Sequence, residues 1–183
     1  MIIEDVLNEI LDNLDELGIP YMVTGSFASN AHGVPRLTQD ADLIVETDLP
    51  GLIRFITRLG KDFYVDLDAA KDAYKRTGMV NAIHHGTGFK IDIILRKSRP
   101  FSKEEFARRQ EVEFLGRMRW FASAEDTILA KLEWSKMGQS ERQFEDALNI
   151  AKVQGAQLDR EYVAKWAKEL GLEALVQRLL SEL

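Results

Sequence analysis

Asp40 and Asp42 open the apolar run Asp-Ala-Asp-Leu-Ile-Val, and in an extended strand side chains two apart project from the same face. Their carboxylates lie side by side and repel, which costs free energy unless a cation, an arginine or solvent compensates. A divalent metal is one direct compensator. Asp92 is a third candidate. In Phe-Lys-Ile-Asp-Ile-Ile-Leu, residues Phe89, Ile91, Ile93 and Leu95 share one face, leaving Asp92 on the other between Lys90 and Ile94. A carboxylate in so apolar a strand is costly if buried unpaired, so it meets a metal, a base or an exposed cleft, or else it is an exposed aspartate of an edge strand. Ahead of the pair stand Gly25 and Ser26. Backbone N–H groups at a helix start bind phosphate, and glycine lets the backbone approach closely; Ser26 is equally a good helix cap. Three aspartates on two strands beside a phosphate-binding turn make a hard oxygen site suited to magnesium, which takes a few carboxylates and completes its shell with waters and substrate phosphates. The chemistry that such a site serves is phosphoryl or nucleotidyl transfer.

Asp-x-Asp alone is weak, since an acidic chain produces it by chance, and a second copy stands at Asp66 and Asp68. That copy precedes the helical stretch Ala-Ala-Lys-Asp-Ala-Tyr-Lys-Arg, where aspartates cap backbone N–H groups and oppose the helix dipole, so its expected role is structural. Asp40 and Asp42 instead follow a strand, a Gly-Ser pair and a short helix.

The elements that position these residues follow from periodicity. Val6, Leu7, Ile10, Leu11, Leu14 and Leu17 recur three and four apart, predicting an amphipathic helix ended by Gly18 and Pro20. Tyr-Met-Val-Thr-Gly reads as a strand stopping at glycine, and Ser-Phe-Ala-Ser-Asn-Ala-His as a short helix ending at Gly33, ahead of Pro35. Ala-Asp-Leu-Ile-Val is a second strand, followed by a helix from Pro50 to Leu59, a brief strand at Phe-Tyr-Val and a helix opened by aspartate caps. Two strands joined by Gly-Thr-Gly form a hairpin ending in Phe-Lys-Ile-Asp-Ile-Ile-Leu. A helix over Ser102 to Arg109 and a β segment from Glu111 to Phe121 come next. From Ser123 the pattern is helical to the end, broken near Gly138, Gly155 and Gly171, with Ser123 and Asp126 spaced as a capping box. The expected fold is α/β (α+β): a mixed-sheet domain over residues 1–122 and a helical region over residues 123–183 packed on it.

With no cysteine in 183 residues, disulfides, zinc thiolates and thiol nucleophiles are excluded together. The net charge of −6 gives no broad positive field for nucleic acid. Local patches remain at Arg96, Lys97, Arg99 and Lys103, and at Arg108, Arg109, Arg117 and Arg119, each read first as a solvated charged face. The opening residues, acidic from Glu4 and apolar only at helical spacing, fit neither a signal peptide nor a membrane span, so the expected setting is cytoplasmic. His32 reads as structural, and one of His84 and His85 as facing a cleft. Trp120, Trp134 and Trp166 fall in apolar patterns and read as core.

The apolar residue, Gly-Ser, a spacer of thirteen residues, Asp-Ala-Asp with apolar flanks and a third aspartate in a later strand together resemble the polymerase-beta-type nucleotidyltransferase superfamily. More narrowly, Ala-His-Gly-Val-Pro-Arg-Leu-Thr-Gln-Asp-Ala-Asp-Leu-Ile-Val looks like the stand-alone AbiEii-like group, related to toxins of abortive-infection and toxin–antitoxin systems. In that group an arginine and a threonine lead into the aspartate pair, as Arg36 and Thr38 do here. Ser-Ala-Glu-Asp-Thr-Ile-Leu-Ala-Lys-Leu-Glu-Trp and Glu-Arg-Gln-Phe-Glu-Asp-Ala-Leu-Asn-Ile resemble its helical region, where a lysine and a later aspartate complete the active site; here these are Lys131 and Asp146. By the residues alone, Lys131 is a solvated lysine and Arg142 with Asp146 an ordinary i,i+4 pair.

The resemblance implies a polymerase-beta-like mixed sheet flanked by helices, with a C-terminal helical bundle. It implies a nucleotidyltransferase dependent on Mg2+ or Mn2+, moving a nucleotide from a nucleoside triphosphate to an acceptor, tRNA or protein, and releasing pyrophosphate. Gly25 and Ser26, with Arg36 and Thr38, would serve the nucleotide. Asp40 and Asp42 would hold metal, Asp92 would act as base or further ligand, and Lys131 would neutralise triphosphate charge. A cognate antitoxin is an implied partner, and a membrane is not. The competing reading is a catalytically silent nucleotide-binding or protein-interaction module of the same fold.

Overall fold

Helix α1 (Ile3–Glu16) buries Val6, Leu7, Ile10, Leu11 and Leu14, the stripe that its three-and-four spacing predicts. In the computed structural model, which describes residues 2–183, this helix leads into β1 (Tyr21–Thr24), α2 (Gly25–His32), β2 (Asp40–Val45) and α3 (Leu49–Leu59). Then come β3 (Phe63–Tyr64), α4 (Leu67–Arg76), β4 (Met79–His84), β5 (Lys90–Leu95), α5 (Pro100–Ala107), β6 (Gln110–Phe114) and β7 (Arg117–Phe121). Four helices close the chain: α6 (Ala124–Gly138), α7 (Glu141–Gln154), α8 (Arg160–Leu170) and α9 (Glu173–Ser181). The β strands form one mixed seven-stranded sheet ordered β3-β4-β5-β2-β1-β7-β6. The pairs β2–β5 and β1–β7 are parallel and the other neighbours antiparallel.

The chain divides into two compact units. One comprises residues up to Thr24 together with Thr38–Phe121, and so holds the whole sheet with α1, α3, α4 and α5. The other comprises Gly25–Leu37 together with Ala122–Leu183. The stretch from Gly25 to Leu37, which local patterning places in the sheet domain, therefore clusters with the helices, because α2 packs on α6 and α7.

In the sheet unit one face is apolar and buried. Ala41, Leu43 and Val45 alternate with half-buried residues on β2, and Val80, Ala82 and His84 with exposed ones on β4. Helix α1 is tied to this face by polar bonds as well as packing. Arg119, only 2% exposed, donates through Nη1 to Asp15 at 2.6 Å, through Nη2 to Asp12 at 2.5 Å and through Nε to Asn8 at 3.1 Å.

Local capping agrees with the sequence. Asp66 accepts from the backbone N–H groups of Asp68 and Ala69 and starts α4, so the second Asp-x-Asp is a helix cap. Ser123 caps α6 through the N–H of Asp126, and its hydroxyl donates to the Asp126 carboxylate at 2.6 Å.

Three expectations change. The β segment over 111–121 is a hairpin, broken where Leu115 and Gly116 both take positive φ, the backbone of a tight strand reversal. Trp134 is 63% exposed rather than core, although Trp166 is buried. The basic stretches are not simply solvated: Arg119 is buried, Arg117 pairs with Asp12 and Arg96 with Glu46.

Candidate active site

In the sheet unit, the half-buried side of β2 carries Asp40 and Asp42, separated by buried Ala41. The parallel register sets Asp42 opposite Asp92 and Asp40 opposite Lys90 on β5, and the antiparallel register continues to Asn81 and Ile83 on β4. Asp40, Asp42, Lys90, Asp92 and Asn81 therefore belong to one face of three adjoining strands. Asp92 is 8% exposed, and both its oxygens are engaged. Oδ2 accepts from Lys90 Nζ at 3.0 Å and Oδ1 from the Asn81 amide. Thr38 donates its hydroxyl to Asp40 Oδ1 and to the Asp40 carbonyl, each at 3.0 Å, fixing the start of the strand. The bond to Asp92 raises the Lys90 pKa; burial opposes it, and the negative field of Asp92, Asp40 and Asp42 adds to the rise.

These residues suit a hard divalent cation. Among the described residues no group of three His, Asp or Glu side chains is gathered to hold an ion by itself. Asp40 and Asp42 are a pair of adjacent oxygen donors, the kind of set magnesium uses when substrate phosphates complete its shell. The ammonium of Lys90, drawn in by three carboxylates, is itself a cation held at that face.

The helical unit gathers the other candidates. Gly25 starts α2 at φ 63°, a left-handed conformation natural to glycine, and Ser29 Oγ donates to its carbonyl at 3.0 Å. Arg36 forks onto Asp146, Nε to Oδ1 at 3.1 Å and Nη2 to Oδ2 at 2.9 Å, and Nη2 also reaches Ser26 Oγ at 3.0 Å. Lys131, 4% exposed, donates to Asp146 Oδ2 at 2.9 Å. Burial alone raises the Asp146 pKa, but the bonds from Arg36 and Lys131 outweigh it and hold the carboxyl below its ordinary value. Lys131 is thus a buried lysine and not a solvated one, and Asp146 turns to Arg36 and Lys131 instead of Arg142. Two cations sharing one carboxylate beside a helix start leave a net positive charge, which favours an anion.

Ser26, Arg36, Lys131 and Asp146 thus come together in one unit, and Thr38, Asp40, Asp42 and Asp92 in the other. Sequence reading missed Asn81 and Asn30. Asn81 is found by running the hairpin register, which pairs it with Asp92. Asn30 grips the backbone of Arg36, donating to its carbonyl at 2.7 Å and accepting from its N–H at 3.0 Å; a loop contact of this kind has no periodic signal. His32 Nε2 meets the Ala122 carbonyl at 2.7 Å, and His84 lies on the buried side of β4 with Thr87 at 2.9 Å.

No protein-family model matches the chain, and no curated protein matches it in sequence. Solved structures do match. The antibiotic-resistance factor ANT(2'')-Ia aligns with a TM-score of 0.62 at 18% identity, over 96% of this chain and 97% of that one. An antigenic nucleotidyltransferase-like protein from Paracoccidioides brasiliensis aligns with a TM-score of 0.63 at 14% identity, over 96% and 92%. The lincosamide antibiotic adenylyltransferase LnuA aligns with a TM-score of 0.58 at 15% identity, over 80% and 95%. The mixed seven-stranded sheet with its flanking helices is the fold of these nucleotidyltransferases.

Proposed function

We propose that the protein is a metal-dependent nucleotidyltransferase, moving a nucleoside monophosphate from a nucleoside triphosphate to a hydroxyl-bearing acceptor and releasing pyrophosphate. The observation that carries this reading is the register that sets Asp40, Asp42 and Asp92 on one face of a sheet whose fold is shared with nucleotidyltransferases. Asp40 and Asp42 are the residues that hold Mg2+ or Mn2+, with Asp92 an additional ligand or the base. When bound, the metal polarises the transferred phosphoryl group and offsets charge on the leaving pyrophosphate. Everything else is done by the chain. Gly25 and Ser26 bind the triphosphate through backbone N–H and hydroxyl groups. Arg36 and Lys131 neutralise its charge, and Asp146 keeps those two cations oriented. Thr38 fixes Asp40. As the base, Asp92 would take the proton of the attacking hydroxyl, held in place by Asn81.

Two structural neighbours are described with antibiotics as acceptor or ligand, adenylyl-2''-tobramycin for one and lincomycin for another. A small hydroxylated molecule therefore joins tRNA and protein as an acceptor class. The burial and pairing of Arg119, Arg117 and Arg96 leave fewer cations for an RNA backbone than the sequence offers, which favours a small or protein acceptor. The resemblance to the AbiEii-like group supports a toxin role with a cognate antitoxin. Among the described residues no helix is long and apolar enough to cross a membrane, in keeping with a cytoplasmic setting.

The test is pyrophosphate release from each ribonucleoside triphosphate with magnesium, in the presence of bulk tRNA, cell extract and hydroxylated antibiotics. The wild type is compared with an Asp40→Asn, Asp42→Asn double variant. Release that the double variant lacks supports the reading and names the base. Triphosphate binding that needs no metal, with no pyrophosphate under any condition, supports the silent module instead.

A further inference from the structure

Lys90 is the cation already present at the carboxylate face. Its Nζ lies 3.0 Å from Asp92 Oδ2, its register partner on β2 is Asp40, and it feels the charges of Asp40 and Asp42. The two groups that hold Asp92 differ in kind. Asn81 is neutral and short, and its amide bond to Oδ1 leaves the carboxylate charge intact. Lys90 carries full charge on a flexible stem, and its side chain is 40% exposed against 11% for that of Asp92. Its head can therefore leave without unpacking the strand.

We propose that Lys90 is a resident counter-cation that covers the carboxylate face in the metal-free protein and is displaced from Asp92 when a divalent cation binds. This rests on the nucleotidyltransferase reading and adds a positioning residue to it. An ammonium beside the carboxylates repels an incoming divalent cation. While it donates to Asp92, it also makes that carboxylate a poorer acceptor of a proton or ligand of a metal. Both costs vanish when the side chain swings away into solvent. In the metal-free state the same ammonium offsets the repulsion among Asp40, Asp42 and Asp92, so the strands keep their register before any ligand arrives.

The direct test is NMR of lysine side-chain ammonium groups in the full-length wild type, with the Lys90 signal assigned through Lys90→Arg. Magnesium alone is titrated first, followed by magnesium with a non-hydrolysable triphosphate. Backbone amides of Asp40 and Asp42 report metal binding independently. The expected result is that the Lys90 signal changes in step with those amides. In parallel, Mn2+ affinity measured by electron paramagnetic resonance tightens on the order of tenfold in Lys90→Met, while Lys90→Arg, which forks onto a carboxylate more firmly, binds no tighter than wild type. A Lys90 signal that holds still while the Asp40 and Asp42 amides shift overturns the proposal. So does a well-folded Lys90→Met that binds Mn2+ no tighter, or a wild type that binds no divalent cation. Pyrophosphate release by the wild type is read separately, so failure of the counter-cation role and failure of the enzymatic reading remain distinct.

Discussion

Asp42 on β2 and Asp92 on β5 are direct partners across a parallel pair, so two carboxylates occupy one register position of the same sheet face. Like charges placed opposite each other across strands destabilise a sheet, and Asp40 adds a further charge beside Asp42. The sheet tolerates this because Lys90 and Asn81 both donate to Asp92, and Thr38 donates to Asp40. Local rules for a stable strand are broken here and nowhere else on β2, whose remaining residues are apolar. The proposed metal-binding role of this face would account for such a concentration of unfavourable choices.

Replacing Asp42 by asparagine therefore separates the two demands. The variant removes one charge from a crowded face with little change in volume. Its melting temperature in the presence of a chelator is expected to equal or exceed that of the wild type. Pyrophosphate release is expected to fall by roughly a hundredfold or more, the scale of losing a principal electrostatic contact of the transition state. A destabilised variant that retains activity would assign Asp42 to the fold instead.

Much of this arrangement is legible from local pattern. The spacing of Val6, Leu7, Ile10, Leu11 and Leu14 defines α1, and strand alternation alone puts Asp40 beside Asp42 and Asp92 opposite the apolar side of β5. What local pattern does not carry is pairing between distant segments. Arg36 and Asp146 meet across 110 positions, and Arg119 reaches back 107 positions to Asp12, so neither looks different in sequence from a solvated charge. Trp134 misled for a related reason: α6 buries residues over most of its circumference, so its sequence marks poorly which apolar side chain stays outside.

Asp146 predicts a pH dependence. Its folded pKa is held below the ordinary carboxylate value because the bonds from Arg36 and Lys131 outweigh the opposing effect of burial. A depressed folded pKa contributes stability that is complete above the unfolded value, about 3.9, and is lost as pH falls through the folded value. Asp146→Asn should thus be less stable than wild type near neutrality and should show a flatter loss below about pH 4. Denaturant midpoints across this range measure it; parallel profiles for the two proteins would remove Asp146 from the account.

Arg119 predicts a purely structural effect. Its guanidinium is buried and bonded to Asp12, Asp15 and Asn8 of α1. Truncation to alanine removes those bonds and the packing of a buried side chain while the part-exposed aspartates regain water, and is expected to cost about 2 kcal/mol, read from denaturant unfolding. Arg119→Lys keeps the charge but loses the fork, and is expected to recover only part of that stability. At a temperature where both variants stay folded, metal affinity should match the wild type, since none of these partners lies on the carboxylate face.

Asn81 predicts the opposite pattern, a kinetic effect with little loss of fold. Its side chain stands on the exposed side of β4, opposite Asp92 in the antiparallel register, and donates to Oδ1. Asn81→Ala leaves the strand pairing untouched but frees one end of the Asp92 carboxylate to rotate. Supporting bonds of this kind around a metal or catalytic carboxylate are worth on the order of 10- to 100-fold in activity or metal affinity. The expected result is a fall in kcat toward that range, with the KM for nucleoside triphosphate nearly unchanged, because the cluster of Ser26, Arg36, Lys131 and Asp146 is intact. Asn81→Asp is the sharper probe. It puts a third carboxylate in the row formed by Asp42 and Asp92, so the metal-free protein should melt earlier, and added Mn2+ should restore more stability than it does in the wild type. An Asn81→Asp variant whose melting temperature ignores the cation would show that Asp92 and its neighbours do not share a metal field.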